Sequence, residues 1–195
     1  MFIRKLTTLA VLLALGFFSV SATGPVPRRS PDLTIVEPSG KQTRLSSLKG
    51  KVVMIEFFLT NCPRCQRVTE TITKLHKELG PRGFQAIGIA FDQGISGPTL
   101  ADLPQRLGIT YPVGYASSDK VDSYLGRQPM ERFRVPQIVV IDRKGVIRAQ
   151  SRPTGEKNLE DENYLRNLID SLLKESAPAR NTTRMSPRAR RRSQP

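Results

Sequence analysis

The chain has no tryptophan, one histidine and two cysteines in 195 residues. Each scarcity excludes something. Two cysteines cannot hold together a scaffold stapled by several disulfides. With one histidine beside them they fall short of the four ligands of a structural zinc site, so no metal is expected, and no cofactor either. No internal repeat is evident, which removes solenoid architectures. The longest uncharged apolar stretch, residues 6–20, is shorter than the ~20 residues that span a bilayer comfortably.

What is present is basic. The formal charge is +14, and six of those charges are arginines 180, 184, 188, 190, 191 and 192 in a tail without a single acid. Residues 176–195 are expected to be a disordered basic tail, suited to anionic lipid head groups rather than to a specific nucleic acid. Asn181-Thr182-Thr183 matches a glycosylation acceptor, which has meaning only in a eukaryotic secretory pathway. At the other end, Arg4-Lys5, the apolar stretch and Ser21-Ala22 follow the order of a secretory signal peptide, residues 1–22. An uncleaved membrane anchor is the alternative. Either way the protein is expected outside the cytoplasm, periplasmic or secreted. Residues 23–31, rich in proline, read as a linker, and residues 32–175 as one domain.

The two cysteines are spaced C-x-x-C, as Cys62-Pro63-Arg64-Cys65, directly after the apolar run 52–59. That run is β-branched and aromatic and reads as a central strand buried on both faces. Glu56 interrupts it. It is either a strand-end glutamate reaching water or a buried carboxyl with a raised pKa, a candidate proton acceptor for a thiol. After the cysteines, Val68, Ile72, Leu75 and Leu79 recur at helical spacing, and Pro63 suits a first helical turn. Cys62 therefore sits at a helix N-terminus, where free N–H groups favour a thiolate. Cys62 is the expected nucleophile and Cys65 the resolving thiol, although a purely structural disulfide has the same spacing. Arg64 and Arg67 add positive charge, which tilts the pair toward being an oxidant. His76 reads as a surface residue.

Around this centre the chain alternates strand and helix. Residues 33–36 and 42–45 suggest an N-terminal hairpin, 84–91 a second strand and 111–116 a short one. Leu100, Leu103 and Leu107 suggest a modest helix that Pro104 kinks or delays. Residues 119–125 read as a helical turn and 159–173 as a final amphipathic helix. Residues 137–141 and 146–149, joined by Asp142-Arg143-Lys144-Gly145, read as an antiparallel hairpin with Val135-Pro136 just before it.

The apolar strand, the Cys-Pro-Arg-Cys motif and the following helix resemble the thioredoxin superfamily. The export signal and Leu48-Lys49-Gly50-Lys51-Val52-Val53 resemble its TlpA/ResA-like branch of extracytoplasmic thiol–disulfide oxidoreductases. The resemblance implies an α/β thioredoxin-like fold, a central mixed sheet flanked by helices. It implies a redox-active Cys62–Cys65 disulfide, with Glu56 at the position of thioredoxin's buried Asp and in its proton-relay role. Arg134-Val135-Pro136-Gln137-Ile138 resembles the cis-proline site facing the cysteines, where Val135 offers its backbone to a substrate; Pro63 and Arg64 complete that surface. Protein thiols or disulfides are the implied substrates, and a membrane or soluble redox partner the means of recycling. Two departures stand out. Asn61 replaces the usual Trp before the first cysteine, and Val68 replaces an acidic residue found in some relatives. Two other readings compete. A peroxiredoxin-like peroxidase wants Thr three residues before its cysteine, where this chain has Leu59. A redox-silent binding module for a metal wants a histidine far beyond the cysteines, and there is none.

Overall fold

A computed structural model of the chain describes residues 25–128, 132–155 and 157–175. The signal-peptide and basic-tail expectations lie outside these residues. Eight strands form one mixed sheet, ordered β1-β8-β7-β4-β5-β6-β2-β3. The strands are β1 (Arg28–Arg29), β2 (Thr34–Val36), β3 (Gln42–Arg44), β4 (Val52–Phe58), β5 (Phe84–Ala90), β6 (Val113–Tyr115), β7 (Gln137–Ile141) and β8 (Val146–Gln150). The helices are α1 (Pro63–Leu79), α2 (Gly97–Leu100), α3 (Leu103–Arg106), α4 (Ser118–Leu125) and α5 (Glu162–Lys174).

β4 lies between β5, which runs parallel, and β7, which runs antiparallel. All seven of its residues are buried, six of them apolar as a strand covered on both faces requires, and Glu56 with them. Alternation sorts them. Val52, Met54 and Phe58 face the core beneath α1 and α5 with Ile72, Leu75, Leu165 and Ile169. Val53, Ile55 and Phe57 face the opposite core with Val121, Tyr124 and Leu125 of α4. Burying each such side chain contributes about 1.5–3 kcal/mol, so β4 and its two covers dominate stability.

The N-terminal hairpin, β2 on β3, joins the sheet through Val36 beside Tyr115 of β6. That approach needs Gly114: a Cβ there would lie 2.5 Å from Ile35 Cγ2 and 2.6 Å from the Val36 carbonyl oxygen. The predicted helix around Leu103 is broken into α2 and α3, each with a proline in its first turn, because neither Pro98 nor Pro104 can sit inside a helix. Part of the presumed linker is structured. Arg28 and Arg29 pair with Ile147 and Val146 of β8, and Arg28 donates to Gln150 Oε1 at 2.6 Å. The prolines on either side hold these residues extended, and the outer edge of β8 takes up their backbone bonds.

Candidate active site

α1 begins where β4 ends, so the cysteines lie at the rim of the sheet. Cys62 is the N-cap: its Sγ accepts from the Cys65 N–H at 3.1 Å, and Pro63 occupies the first turn. Cys62 is half-buried and Cys65 buried, and the two form a disulfide. The turn before them is fixed from β5. The Asp92 carboxylate accepts from the Thr60 N–H at 3.1 Å and the Thr60 hydroxyl at 2.9 Å. The sequence pattern alone does not single out Asp92. Its signal was an acid placed just past the end of a strand neighbouring β4.

Glu56 points to the α1 side of β4 and is 1% exposed. Thr69, one helical turn beyond Cys65 on the same face, donates its hydroxyl to Glu56 Oε2 at 2.9 Å. Burial pushes the carboxyl up to about 8, with a smaller push from the charge of Glu160, against the Thr69 hydrogen bond. Of the two readings of Glu56, the buried one holds: at neutral pH it carries a proton, one helical turn below the resolving sulfur.

Arg64 corrects the expectation about charge. Its guanidinium is clasped by Glu160, with Nε on Oε2 and Nη2 on Oε1, each at 2.7 Å. A bidentate partner largely cancels that charge, so of the two arginines only Arg67, exposed on α1, bears on the thiolate without a carboxylate partner among the described residues. Glu160 was read simply as part of the last helix; it belongs instead to a 3-10 turn, residues Lys157–Glu160, that leads into α5.

The Val135–Pro136 peptide is cis. Gln137 pairs with Phe57, so the register carries Pro136 and Val135 alongside Phe58 and Leu59, directly ahead of the cysteines. Pro136 is buried and Val135 half-buried. Among the described residues neither the Val135 N–H nor its carbonyl finds a backbone partner, while the flanking Arg134 N–H is bound to the Pro153 carbonyl at 2.8 Å. The loop through Gly155 sits between this segment and α1: a Cβ at Gly155 would be 3.7 Å from both Arg134 Cβ and Arg64 Nη2. The structure thus brings Cys62, Cys65, Pro63, Arg64, Val135 and Pro136 to one rim, with Glu56 beneath. His76 is half-buried rather than at the surface. It packs edge-on to Tyr111, 5.6 Å between ring centroids, and its Nδ1 meets the Thr110 hydroxyl at 3.2 Å.

A mixed sheet with helices on both sides and a C-x-x-C disulfide at a helix N-terminus, facing a cis-proline, defines a thioredoxin-like thiol–disulfide oxidoreductase. The comparisons agree. The Redoxin family model matches residues 25–169, and the chain belongs to that family. The thiol–disulfide oxidoreductase ResA of Bacillus thuringiensis (strain Al Hakam) is 24% identical over 154 residues, 78% of this chain and 84% of the relative. A solution structure of a candidate protein disulfide isomerase from Bacteroides thetaiotaomicron is 31% identical, with a TM-score of 0.61 over 78% of this chain and 94% of that one. A thioredoxin-family thiol:disulfide interchange protein from Chlorobium tepidum TLS is 25% identical, with a TM-score of 0.62 over 77% and 99%.

Proposed function

We propose that this oxidoreductase works outside the cytoplasm as a reductant of protein disulfides, recharged by a membrane or soluble electron donor. The observation that carries the direction is the Arg64–Glu160 clasp. It removes one of the two cations that would stabilise the Cys62 thiolate, and a less stabilised dithiol gives up its electrons more readily. Location outside the cytoplasm is supported by the export pattern of residues 1–22. Among the described residues no helix is long and apolar enough to cross a membrane.

The chemistry follows from the placement of the groups. The reduced Cys62 thiolate attacks a substrate disulfide; one S–S bond forms to the substrate and one substrate thiolate leaves. Val135 offers its free backbone groups to the bound segment as an added strand, beside Pro136, Pro63 and the aliphatic stem of Arg64. Glu56, as carboxylate, accepts the Cys65 proton. The Cys65 thiolate then attacks Cys62 Sγ, closing the disulfide and releasing the second substrate thiolate. Two electrons pass to the substrate, and Glu56 is left protonated, the form its burial favours beside the disulfide. The reverse sequence recharges the enzyme. The arginine-rich residues 176–195 would hold the protein near anionic lipid.

The test is the reduction potential of the Cys62–Cys65 pair in the chain lacking residues 1–22, equilibrated in dithiothreitol or glutathione buffers. A value near thioredoxin's, about −270 mV, is expected. A value nearer about −120 mV, that of a strong oxidant, would reverse the direction assigned here.

A further inference from the structure

Val135 can take up a substrate strand only if its backbone is held extended and unpaired in front of the cysteines. Hydrogen bonds secure it from the β8 side. The Arg134 N–H is on the Pro153 carbonyl, and the buried Gln137 side chain donates from Nε2 to the Arg134 carbonyl at 2.6 Å and to the Arg152 carbonyl at 3.2 Å. From the α4 side the hold is made by rings and a guanidinium. Phe133, two residues ahead of Val135, is half-buried, and its ring stacks on that of Phe91 with 5.8 Å between centroids and 23° between planes. Phe91 is buried just past β5, and its N–H donates to the carbonyl of Phe58, the last residue of β4, at 3.2 Å. The guanidinium carbon of Arg127 lies 3.7 Å from the centre of the Phe133 ring.

The Arg127 side chain is only 6% exposed, and a guanidinium loses its hydration at that depth unless it is paired. Its Nε and Nη2 both donate to Asp122 Oδ1, at 3.0 and 2.5 Å, and its N–H donates to the Asp122 carbonyl at 2.9 Å. Asp122 is carried by α4, whose Val121, Tyr124 and Leu125 are set in the core on the Val53–Phe57 side of β4. The pairing fixes the plane of the guanidinium, and the flat, delocalised cation then covers the ring, which the compact ammonium of a lysine would not do. Val135 packs with Phe133 against that same core, so a shift of the ring reaches it. We propose that Arg127 is a positioning residue for the substrate: through its stack on Phe133 it holds Val135 in the extended register onto which a peptide pairs, and so favours disulfides carried in extended peptide segments over small free disulfides. This rests on Val135 presenting its backbone to the substrate. Arg127 itself touches no reacting atom. A small disulfide needs Cys62 and no strand, so it gains nothing from the clamp.

The experiment is rapid mixing of the full chain, in its dithiol form, with two substrates: a peptide with extended flanks around a disulfide, and hydroxyethyl disulfide. The proteins are the wild type, Arg127→Met, Arg127→Lys, Phe133→Leu and Phe133→Tyr. With the competent register of the loop cut to about a tenth of the population, Arg127→Met should need about tenfold more peptide for half-saturation, at an unchanged limiting rate. Arg127→Lys should need nearly as much, because it keeps the charge and loses the stack. Phe133→Leu should follow them, and Phe133→Tyr, which keeps a ring for the guanidinium, should stay with the wild type. Rates with hydroxyethyl disulfide and the reduction potential should not move in any variant. Wild-type half-saturation in Arg127→Met and Phe133→Leu would overturn the proposal. So would an equal loss with both substrates, which marks general damage to the fold rather than a misplaced strand. The underlying assignment is read separately, from wild-type protein and peptides N-methylated in turn at each residue beside the cysteines. If no methyl group raises half-saturation, the substrate does not add as a strand, and the role given to Val135 fails whatever the variants do. Should Arg127→Met fail to fold with Asp122 left unpaired, Phe133→Leu decides alone.

Discussion

An ionised carboxylate as deeply buried as that of Glu56 has lost its water and gained one hydroxyl in return. The carboxyl therefore keeps its proton until about pH 8, while in the unfolded chain it ionises near its ordinary 4.5. Between those values the native state binds more protons than the unfolded one, so the oxidised protein should lose stability as pH rises through that window. The loss should amount to a few kcal/mol, on the order expected for a shift of this size. Urea unfolding at pH 5 and pH 9 checks it: wild type should weaken at the higher pH, and Glu56→Gln should be nearly level. The same variant should slow thiol–disulfide exchange at pH 7 by about a hundredfold, since it can no longer take the Cys65 proton. Glu160 gives a separable outcome. Glu160→Gln releases Arg64 and removes an anion that pushes Glu56 upward, so the Glu56 titration should move down. The potential of the cysteine pair should become less negative by about 15–30 mV. Carboxyl NMR and redox equilibration read the two effects independently.

Elements differ in how openly the sequence announced them. β4 and α1 were legible because a continuous apolar run and a 3.6-residue stripe are local signals, and Cys62 and Pro63 mark the helix start. The β7–β8 hairpin was legible from Asp142 and Gly145, and the Asp142 carboxylate does accept from the N–H groups of Lys144 and Val146. What stayed hidden was contact between distant segments. Nothing in residues 157–160 says that Glu160 will meet Arg64, 96 positions away. Nothing in Thr60 says that it will be held by Asp92, and β1 owes its existence to an unpaired edge elsewhere. At this scale the sharpest test is Gly114→Val. The added side chain meets Ile35 and the Val36 backbone, so the β2–β3 hairpin should peel from β6. The cost should be about 1–3 kcal/mol, read as lost amide protection over residues 34–44 with the cysteine pair still active.

Over the whole molecule, charge is divided between a moderately basic domain and a strongly basic terminus. If residues 176–195 supply the membrane contact, the full chain should sediment with vesicles containing anionic lipid, and a chain ending at Glu175 should not. The difference should fade as salt shortens the Debye length. The sheet has a consequence of its own. Its outermost strands are β1, two residues long, and β3, three residues long, and between them they carry Arg28, Arg29 and Arg44. An enzyme that handles other proteins meets them with strands unpaired and ready to zip onto any open border. Here both borders are too short and too charged to serve as a template, which guards the molecule against pairing edge to edge with another chain.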